Sequence, residues 1–188
     1  MNYIVFEGID GSGKSTVSKM FVEYLLNKGC SVLYTKEPFT KQIDELIRKN
    51  QADKTLLFLF LADRSIHIEY LKKQNFNFIV SDRSFYSTIC YQGYGGSIDV
   101  EFVTKLNEFV VEDFLPDIVF YLDCEPEVAL SRIEKTDAIE HKKLNFFQKV
   151  RAGYLELARK HNFITINSQN DLREVFSNVV KYYETQFV

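Results

Sequence analysis

Short apolar runs alternate along the chain with longer segments in which apolar residues recur at helical spacing. The apolar runs predict β-strands at YIVF (3–6), CSVLYT (30–35), FNFIVSD (76–82), PDIVFYLDC (116–124) and NFITIN (162–167). The segments with helical spacing cover 17–29, 41–50, 52–74, 84–93, 99–113, 125–135, 143–161 and 171–187. Because strands that are apolar throughout are buried on both faces, the alternation predicts a five-stranded parallel sheet between two layers of helices. No repeat or linker interrupts it, so we expect one three-layer α/β domain over residues 1–188.

The composition excludes several classes of protein. The 188 residues carry a formal net charge of -3, and the absence of a basic excess argues against a dedicated nucleic-acid surface. Cys30, Cys90 and Cys124 are far apart and predict reduced, buried thiols and no metal site of their own. No apolar run approaches the ~18 residues of a membrane span, and the N-terminus lacks a basic leader. We therefore expect a soluble cytoplasmic protein without a membrane or nucleic-acid partner.

The segment FEGIDGSGKST, residues 6–16, follows the first strand and precedes the first helix. It contains the pattern GxxxxGK[ST], whose glycines turn backbone N–H groups inward around an anion at the positive end of a helix. The lysine can reach the terminal phosphates of a nucleotide, and the serine hydroxyl can join the coordination sphere of Mg²⁺. The sequence thus predicts an ATP site with Mg²⁺. Its residues are Gly8, Ile9, Asp10, Gly11, Ser12, Gly13, Lys14, Ser15 and Thr16.

Charged residues near the predicted strand ends suggest where the phosphoryl group goes. Asp10 lies inside the phosphate loop, where a carboxylate weakens polyphosphate binding unless it meets a metal or a substrate hydroxyl. Asp82 and Arg83 end the third strand, at the edge where parallel sheets bind ligands. Asp82, with Ser15, is suited to Mg²⁺, and Arg83 to a phosphate. A solvated loop aspartate and a strand-end ion pair are the alternatives.

Two further pairs of residues have the spacing of a pocket wall. Phe60 and Arg64 are four apart on the long predicted helix and share a face, so a ring and a guanidinium could hold a flat base. Thr88 and Tyr91 are three apart in the next predicted helix. Core packing is the stronger explanation of LLFLFLADR from the residues alone, and the second pair could lie on the surface.

Together these segments resemble the thymidylate kinases. The resemblance is carried, in the family's order, by FEGIDGSGKST, TKEPF, LLFLFLADR, SDRSFYSTICYQG, PDIVFYLDCEPEVALSR and FFQKVRAGYLELA, and it extends to about residue 160. It implies a P-loop nucleoside-monophosphate kinase fold, a homodimer, and phosphoryl transfer from ATP to dTMP that gives dTDP and ADP.

The resemblance also implies roles for particular residues in holding dTMP. Phe60 would stack on thymine, Arg64 would bond the edge of the base, and Thr88 would touch the base. Tyr91 would crowd the 2′ position, and Glu37 would line the site.

The remaining implied roles concern the sugar and the phosphates. Asp10 would meet the 3′-hydroxyl or the metal, and Arg83 would hold the dTMP phosphate. We expect Asp10, Lys14, Arg83 and Arg132 to be the catalytic residues.

Two departures from the family pattern matter. In Thr35–Phe39, Lys36 replaces an arginine and loses its bidentate fork, and Phe39 replaces a glycine. The turn must then have another shape, or the ring must lie on the base side. Second, the expected lid at 132–143 is short, and Ala138 stands where the family carries a lid arginine.

Loss of such an arginine can cost about 10³-fold in rate, so we expect a slow enzyme or a repositioned cation. The candidates for that cation are Arg132, which we favour, Lys135, Lys142 and Arg151.

Other functions stay open on the sequence alone. The acceptor could be another nucleoside monophosphate or a deoxynucleoside. Acceptance of dUMP is open because a methyl group in an apolar pocket contributes only ~1–3 kcal/mol. A P-loop ATPase or switch without a small-molecule acceptor is the alternative from a different class.

Overall fold

The computed structural model describes residues 1–49, 52–133 and 140–187, and gives only the backbone for 140–142, 186 and 187. The strands are β1 (Asn2–Glu7), β2 (Val32–Lys36), β3 (Phe78–Asp82), β4 (Ile118–Asp123) and β5 (Ile164–Asn167). The helices are α1 (Lys14–Asn27), α2 (Lys41–Lys49), α3 (Asp53–Leu71), α4 (Phe85–Thr88), a π-helix (Ile89–Gly95), α5 (Val100–Val111), α6 (Pro126–Arg132), α7 (Glu140–Lys160) and α8 (Leu172–Phe187).

The strands form one parallel sheet in the order β2-β3-β1-β4-β5. β1 lies at its centre, so the loop that follows β1 leaves the sheet between β3 and β4. The carboxyl ends of all five strands meet at one edge, where parallel sheets bind ligands. The predicted five-stranded α/β architecture is confirmed.

Alternation along the central strand divides the core into two layers. Tyr3 and Val5 face α3, α5 and α7, whereas Ile4 and Phe6 face α1 and α8. Each of these side chains is at most 7% exposed, so burial of both faces accounts for the continuously apolar strands.

The segment 84–93, predicted as one helix that stops at its glycines, is instead α4 followed directly by the π-helix, which continues to Gly95. A Cβ atom at Gly95 would lie 2.6 Å from Val150 of α7. The glycine thus permits close packing against α7, and that packing overrides its usual helix-breaking effect.

Two smaller points concern the ends of predicted segments. β2 begins at Val32 and not at Cys30, because Gly29 adopts a positive φ of 81° and Ser31 pairs with Asn77. Within the expected lid, residues 134–139 lie outside the described residues, and α7 already begins at Glu140. In the ranges that the structure describes, none of the helices combines the length and apolar character of a membrane span.

Candidate active site

The phosphate loop connects β1 to α1 at the carboxyl edge of the sheet. Gly13 stands directly before α1 with a φ of 92°, a left-handed conformation that glycine adopts without steric cost. Gly11 has a φ of 83°, and a Cβ atom there would lie 2.2 Å from the Ala129 carbonyl oxygen. The glycines of the motif therefore fit the tight turn that the sequence predicts.

Lys14 is 5% exposed, and its ammonium donates a hydrogen bond to the Ile9 carbonyl oxygen at 2.9 Å. Burial, aided by the nearby Arg83 charge, lowers the pKa of Lys14 to about 8. Its described partner is a neutral carbonyl, so the ammonium lies poorly compensated at the loop. A polyphosphate would supply the missing negative charge.

The predicted metal ligands are in contact with each other. The Ser15 hydroxyl donates to Oδ2 of Asp82, and Oδ1 of Asp82 is buried without a hydrogen-bond partner in the described part of the chain. Mg²⁺ binds proteins through one or two oxygen ligands and retains several waters. A hydroxyl beside an unpartnered carboxylate oxygen fits that ion, although the described side chains form no cluster of three or more His, Cys, Asp or Glu.

A cavity of about 390 Å³ opens over the loop. It is lined by Asp10, Gly11, Gly13, Lys14, Ser15, Thr16, Asp82, Arg83 and Arg132. Of the residues predicted to bind ATP, Gly8, Ile9 and Ser12 are buried beneath this surface. The loop and both predicted strand-end residues are thus brought together around one space.

Arg132, at the end of α6, lies at the rim of this cavity. Its guanidinium donates to the Gly11 carbonyl oxygen at 3.3 Å and to the Ser168 carbonyl oxygen at 3.1 Å. It also donates to Cys124 Sγ at 3.8 Å, and all three partners are uncharged, so the positive charge lies at the phosphate loop without a carboxylate partner among the described residues.

The other candidate cations differ from Arg132. Arg151 donates to Asp123 at 2.7 and 3.0 Å and also to Glu125, so two carboxylates hold its charge. Lys135 and the Lys142 side chain lie outside the described residues. Arg132 is therefore the candidate that the described geometry supports.

A second cavity of about 550 Å³ lies beside the first. All the residues predicted to hold the acceptor line it: Asp10, Glu37, Phe60, Arg64, Arg83, Thr88 and Tyr91. They come from the phosphate loop, the turn after β2, α3, the end of β3 and the α4–π-helix segment. Asp10 and Arg83 line both cavities, so the two spaces meet at this pair.

Arg64 is 2% exposed and almost completely hydrogen-bonded. It forms a buried ion pair with Glu37 at 2.5 Å and donates to Asn107 at 2.5 Å and to Thr88 at 3.0 Å. Burial alone would raise the pKa of Glu37, but the Arg64 guanidinium and His67 hold it below its usual value. The charge of Arg64 is thus neutralised inside the protein. Any guanidinium N–H group that remains free suits an uncharged hydrogen-bond acceptor.

Arg83 lies where the two cavities join. It forms an ion pair with Asp10, donates to the Ser87 hydroxyl at 2.8 Å, and lies over the Tyr91 ring at 5.1 Å from its centroid. Its φ of 78° is unusual for a residue with a side chain. Burial opposes ionisation of Asp10, but the Arg83 and Lys14 charges lower the pKa of Asp10 below its ordinary value.

Phe39 does not line the acceptor cavity. Its ring stacks on His67 at 4.6 Å and on Tyr70 at 5.0 Å, both on α3, while Asp63 accepts hydrogen bonds from the backbone N–H groups of Phe39 and Thr40. The base-side position expected as one consequence of this departure is therefore wrong, because the ring packs against α3.

Several cavity residues were missed by sequence reasoning. Gln92 is buried, and its Oε1 has no hydrogen-bond partner among the described residues. Arg48 and Phe146 reach the cavity from α2 and α7. The YQG segment that contributed to the resemblance included Gln92, but its spacing did not distinguish this residue from its neighbours. Nothing in the local pattern marked the other two.

Comparison with known proteins agrees with this arrangement. The family model described as thymidylate kinase matches residues 6–179. A probable thymidylate kinase of Sulfurisphaera tokodaii is 41% identical over 182 residues, which cover 95% of this chain and 94% of that protein. A probable thymidylate kinase of Methanocaldococcus jannaschii is 40% identical, with 96% and 94% covered. A thymidylate kinase of Thermosipho africanus is 37% identical, with 97% of each chain covered. The chain therefore belongs to the thymidylate kinase family.

Proposed function

We propose that the protein transfers the γ-phosphoryl group of ATP to dTMP, giving dTDP and ADP. The observation that carries this proposal is the junction of the two cavities at Asp10 and Arg83. A donor phosphate over the loop and an acceptor phosphate in the neighbouring cavity would meet there. The dTMP phosphate oxygen then attacks the γ-phosphorus, and the bond from that phosphorus to the β,γ-bridging oxygen breaks. Positioning supplies much of the rate enhancement in such a reaction.

On the donor side, the loop N–H groups and Lys14 hold the β- and γ-phosphates. Arg132 adds positive charge at the rim of the cavity over the phosphate loop and replaces the lid arginine of the family. Ser15 and Asp82 would hold Mg²⁺, which, when bound, neutralises charge on the phosphates. The unpartnered Oδ1 of Asp82 supports this assignment.

On the acceptor side, Arg83 grips the dTMP phosphate, and Asp10 keeps Arg83 in place while facing the sugar 3′-hydroxyl. Phe60 stacks on the thymine, whose edge meets the free donor capacity of Arg64. The unpartnered Gln92 oxygen can accept the base N3–H group, a contact that a pyrimidine with that donor satisfies. Tyr91 closes the sugar side and disfavours a 2′-hydroxyl.

We also propose that the chain is a single domain that forms a homodimer in the cytoplasm. Support for the dimer comes from large apolar side chains exposed on α3 and α5, namely Phe58, Ile66, Phe102 and Phe109. Exposed apolar side chains on two helices that pack together fit a protein–protein contact.

The test is a coupled assay of ADP release with ATP and Mg²⁺ against dTMP, dUMP, dCMP, dGMP, dAMP, UMP and thymidine in parallel. Turnover with dTMP well above that with the others is expected. A higher rate with another acceptor would change the assigned substrate. ADP release that ignores every acceptor would contradict the kinase assignment and identify an ATPase or switch.

A further inference from the structure

Glu7 ends β1 and is 0% exposed, beneath the phosphate loop. Its carboxylate accepts four hydrogen bonds. Oε1 accepts from the Ser84 backbone N–H and hydroxyl, both at 2.8 Å, and Oε2 accepts from Ser87 at 2.7 Å and Tyr154 at 2.9 Å. No Lys, Arg or His among the described residues forms an ion pair with it. A buried carboxylate without a cation is costly, and the mechanism above gives it no task.

The Ser87 hydroxyl connects this carboxylate to Arg83. A hydroxyl has one proton to donate. Because Ser87 donates that proton to Glu7, its lone pairs remain available to Arg83, whose Nη1 donates to the Ser87 oxygen at 2.8 Å. The ionised carboxylate thus keeps the serine oxygen turned towards the guanidinium as an acceptor.

Glu7 also acts on the backbone next to Arg83. Both groups that donate to Oε1 belong to Ser84, the residue that follows Arg83. Arg83 has an unfavourable positive φ, which persists only where the surroundings hold it. Its N–H donates to the Phe6 carbonyl, and its own carbonyl accepts from Ser81. Glu7 therefore restrains the backbone on the C-terminal side of Arg83.

We infer that Glu7 is a positioning residue that fixes Arg83 for the acceptor phosphate, through Ser87 on the side chain and Ser84 on the backbone. The inference rests on the proposed function, in which Arg83 holds the phosphate of dTMP. Burial raises the pKa of the Glu7 carboxyl above its usual value, and the hydroxyl donors and the Arg83 charge offset only part of that rise. The donors that surround it are those that stabilise the ionised form.

The experiment compares binding of dTMP and thymidine, which differ in the phosphate, to the full chain by calorimetry. A purely structural carboxylate would affect both ligands alike or only the melting temperature. In Glu7→Gln, the amide donates where the carboxylate accepted, competes with Arg83 for the Ser87 oxygen, and removes a negative charge. We expect the ratio of dTMP affinity to thymidine affinity to fall about tenfold.

Three further variants make the result decisive. Ser87→Ala removes the connecting hydroxyl and should lower the same ratio by a similar factor, and the double variant should add little. Tyr154→Phe is the matched control: it removes the other donor to Oε2 and the 2.9 Å contact between the Tyr154 and Ser87 hydroxyls, but it leaves the bonds of Ser87 to Glu7 and Arg83 in place. It should keep the wild-type ratio even if stability falls. Arg83→Met should lower the ratio most.

The outcomes separate the inference from the proposed function. If Arg83→Met lowers the ratio but Glu7→Gln and Ser87→Ala stay within twofold of wild type, the inference is overturned and the role of Arg83 stands. If Arg83→Met leaves the ratio unchanged, the phosphate role proposed for Arg83 fails first. Should Glu7→Gln not fold, Ser87→Ala decides alone, since a wild-type ratio there overturns the inference.

Discussion

The phosphate loop and the acceptor cavity differ in how neighbouring groups balance the charge of a buried cation. Lys14 donates to a neutral carbonyl and has a lowered pKa, so its charge is poorly compensated before a ligand arrives. Arg64 is equally buried but is neutralised by Glu37 and bonded to Asn107 and Thr88. Positive charge is therefore available at the proposed polyphosphate site and is cancelled at the proposed site of the uncharged base.

Arg83 stands between these extremes. It is paired with Asp10, which is half-exposed at the junction of the cavities, and with the Ser87 hydroxyl. An arginine with one exposed carboxylate partner can still take a phosphate oxygen. The balance of charge around each cation, more than its burial, therefore distinguishes the proposed phosphate sites from the proposed base site.

The largest effect expected from this comparison is on stability. Glu37→Leu leaves the Arg64 charge buried without its carboxylate and should lower the free energy of unfolding by about 3–5 kcal/mol. The double variant Glu37→Leu/Arg64→Met removes both charges and should recover most of that loss. Urea unfolding measures both. A double variant no more stable than the single one would show that Glu37 acts through other contacts, such as His67.

For Lys14→Met we expect lower activity together with higher stability. The value of kcat/KM with dTMP should fall by about 10²–10³, because a cation is lost where charge accumulates on the transferring phosphoryl group. Stability should rise, since the variant removes a buried ammonium that forms no ion pair with a carboxylate in the described part of the chain. The measurements are the coupled ADP assay and urea unfolding on the same preparations. A clear loss of stability would contradict the account of an uncompensated cation.

The smallest effect concerns Phe39. Replacement by alanine removes the ring stacked on His67 and Tyr70, so stability should fall by about 1 kcal/mol. The KM for dTMP should stay near the wild-type value, because the ring lies outside the acceptor cavity. Phe60→Ala is the paired comparison, for which we expect a higher KM for dTMP. A similar rise for both would place the Phe39 ring at the base after all.

The two regions also differ in how far the sequence predicts them. The phosphate loop is made of consecutive residues. One short segment of the sequence is therefore enough to predict it. The acceptor cavity gathers side chains from distant elements. Spacing alone gave a pocket wall as one of two interpretations for Phe60, Arg64, Thr88 and Tyr91, and the family resemblance assigned their roles. Local spacing could not predict that Phe146 of α7 lines the cavity. It also could not predict that Arg151 forms ion pairs with Asp123 and Glu125. Both depend on how α7 packs against the sheet.

The fold itself was predictable because the inner strands β1, β3 and β4 are apolar and buried on both faces, and the helices between the strands have apolar residues at helical spacing. The π-helix was not, since it continues past Gly93 to Gly95, which lies in close contact with Val150 and Phe146 of α7. A local sequence pattern reports the secondary-structure propensity of its own residues. It contains no information on the tertiary contacts that can override this propensity.

The central claim is that the cation-rich loop and the neutralised cavity serve one transfer reaction. Its most direct test uses ATP radiolabelled in the γ-phosphoryl group, mixed with Mg²⁺, dTMP and the protein, followed by separation of the products. We predict that the label appears in dTDP in step with ADP formation. Release of the label as inorganic phosphate, at a rate that dTMP does not change, would contradict the account.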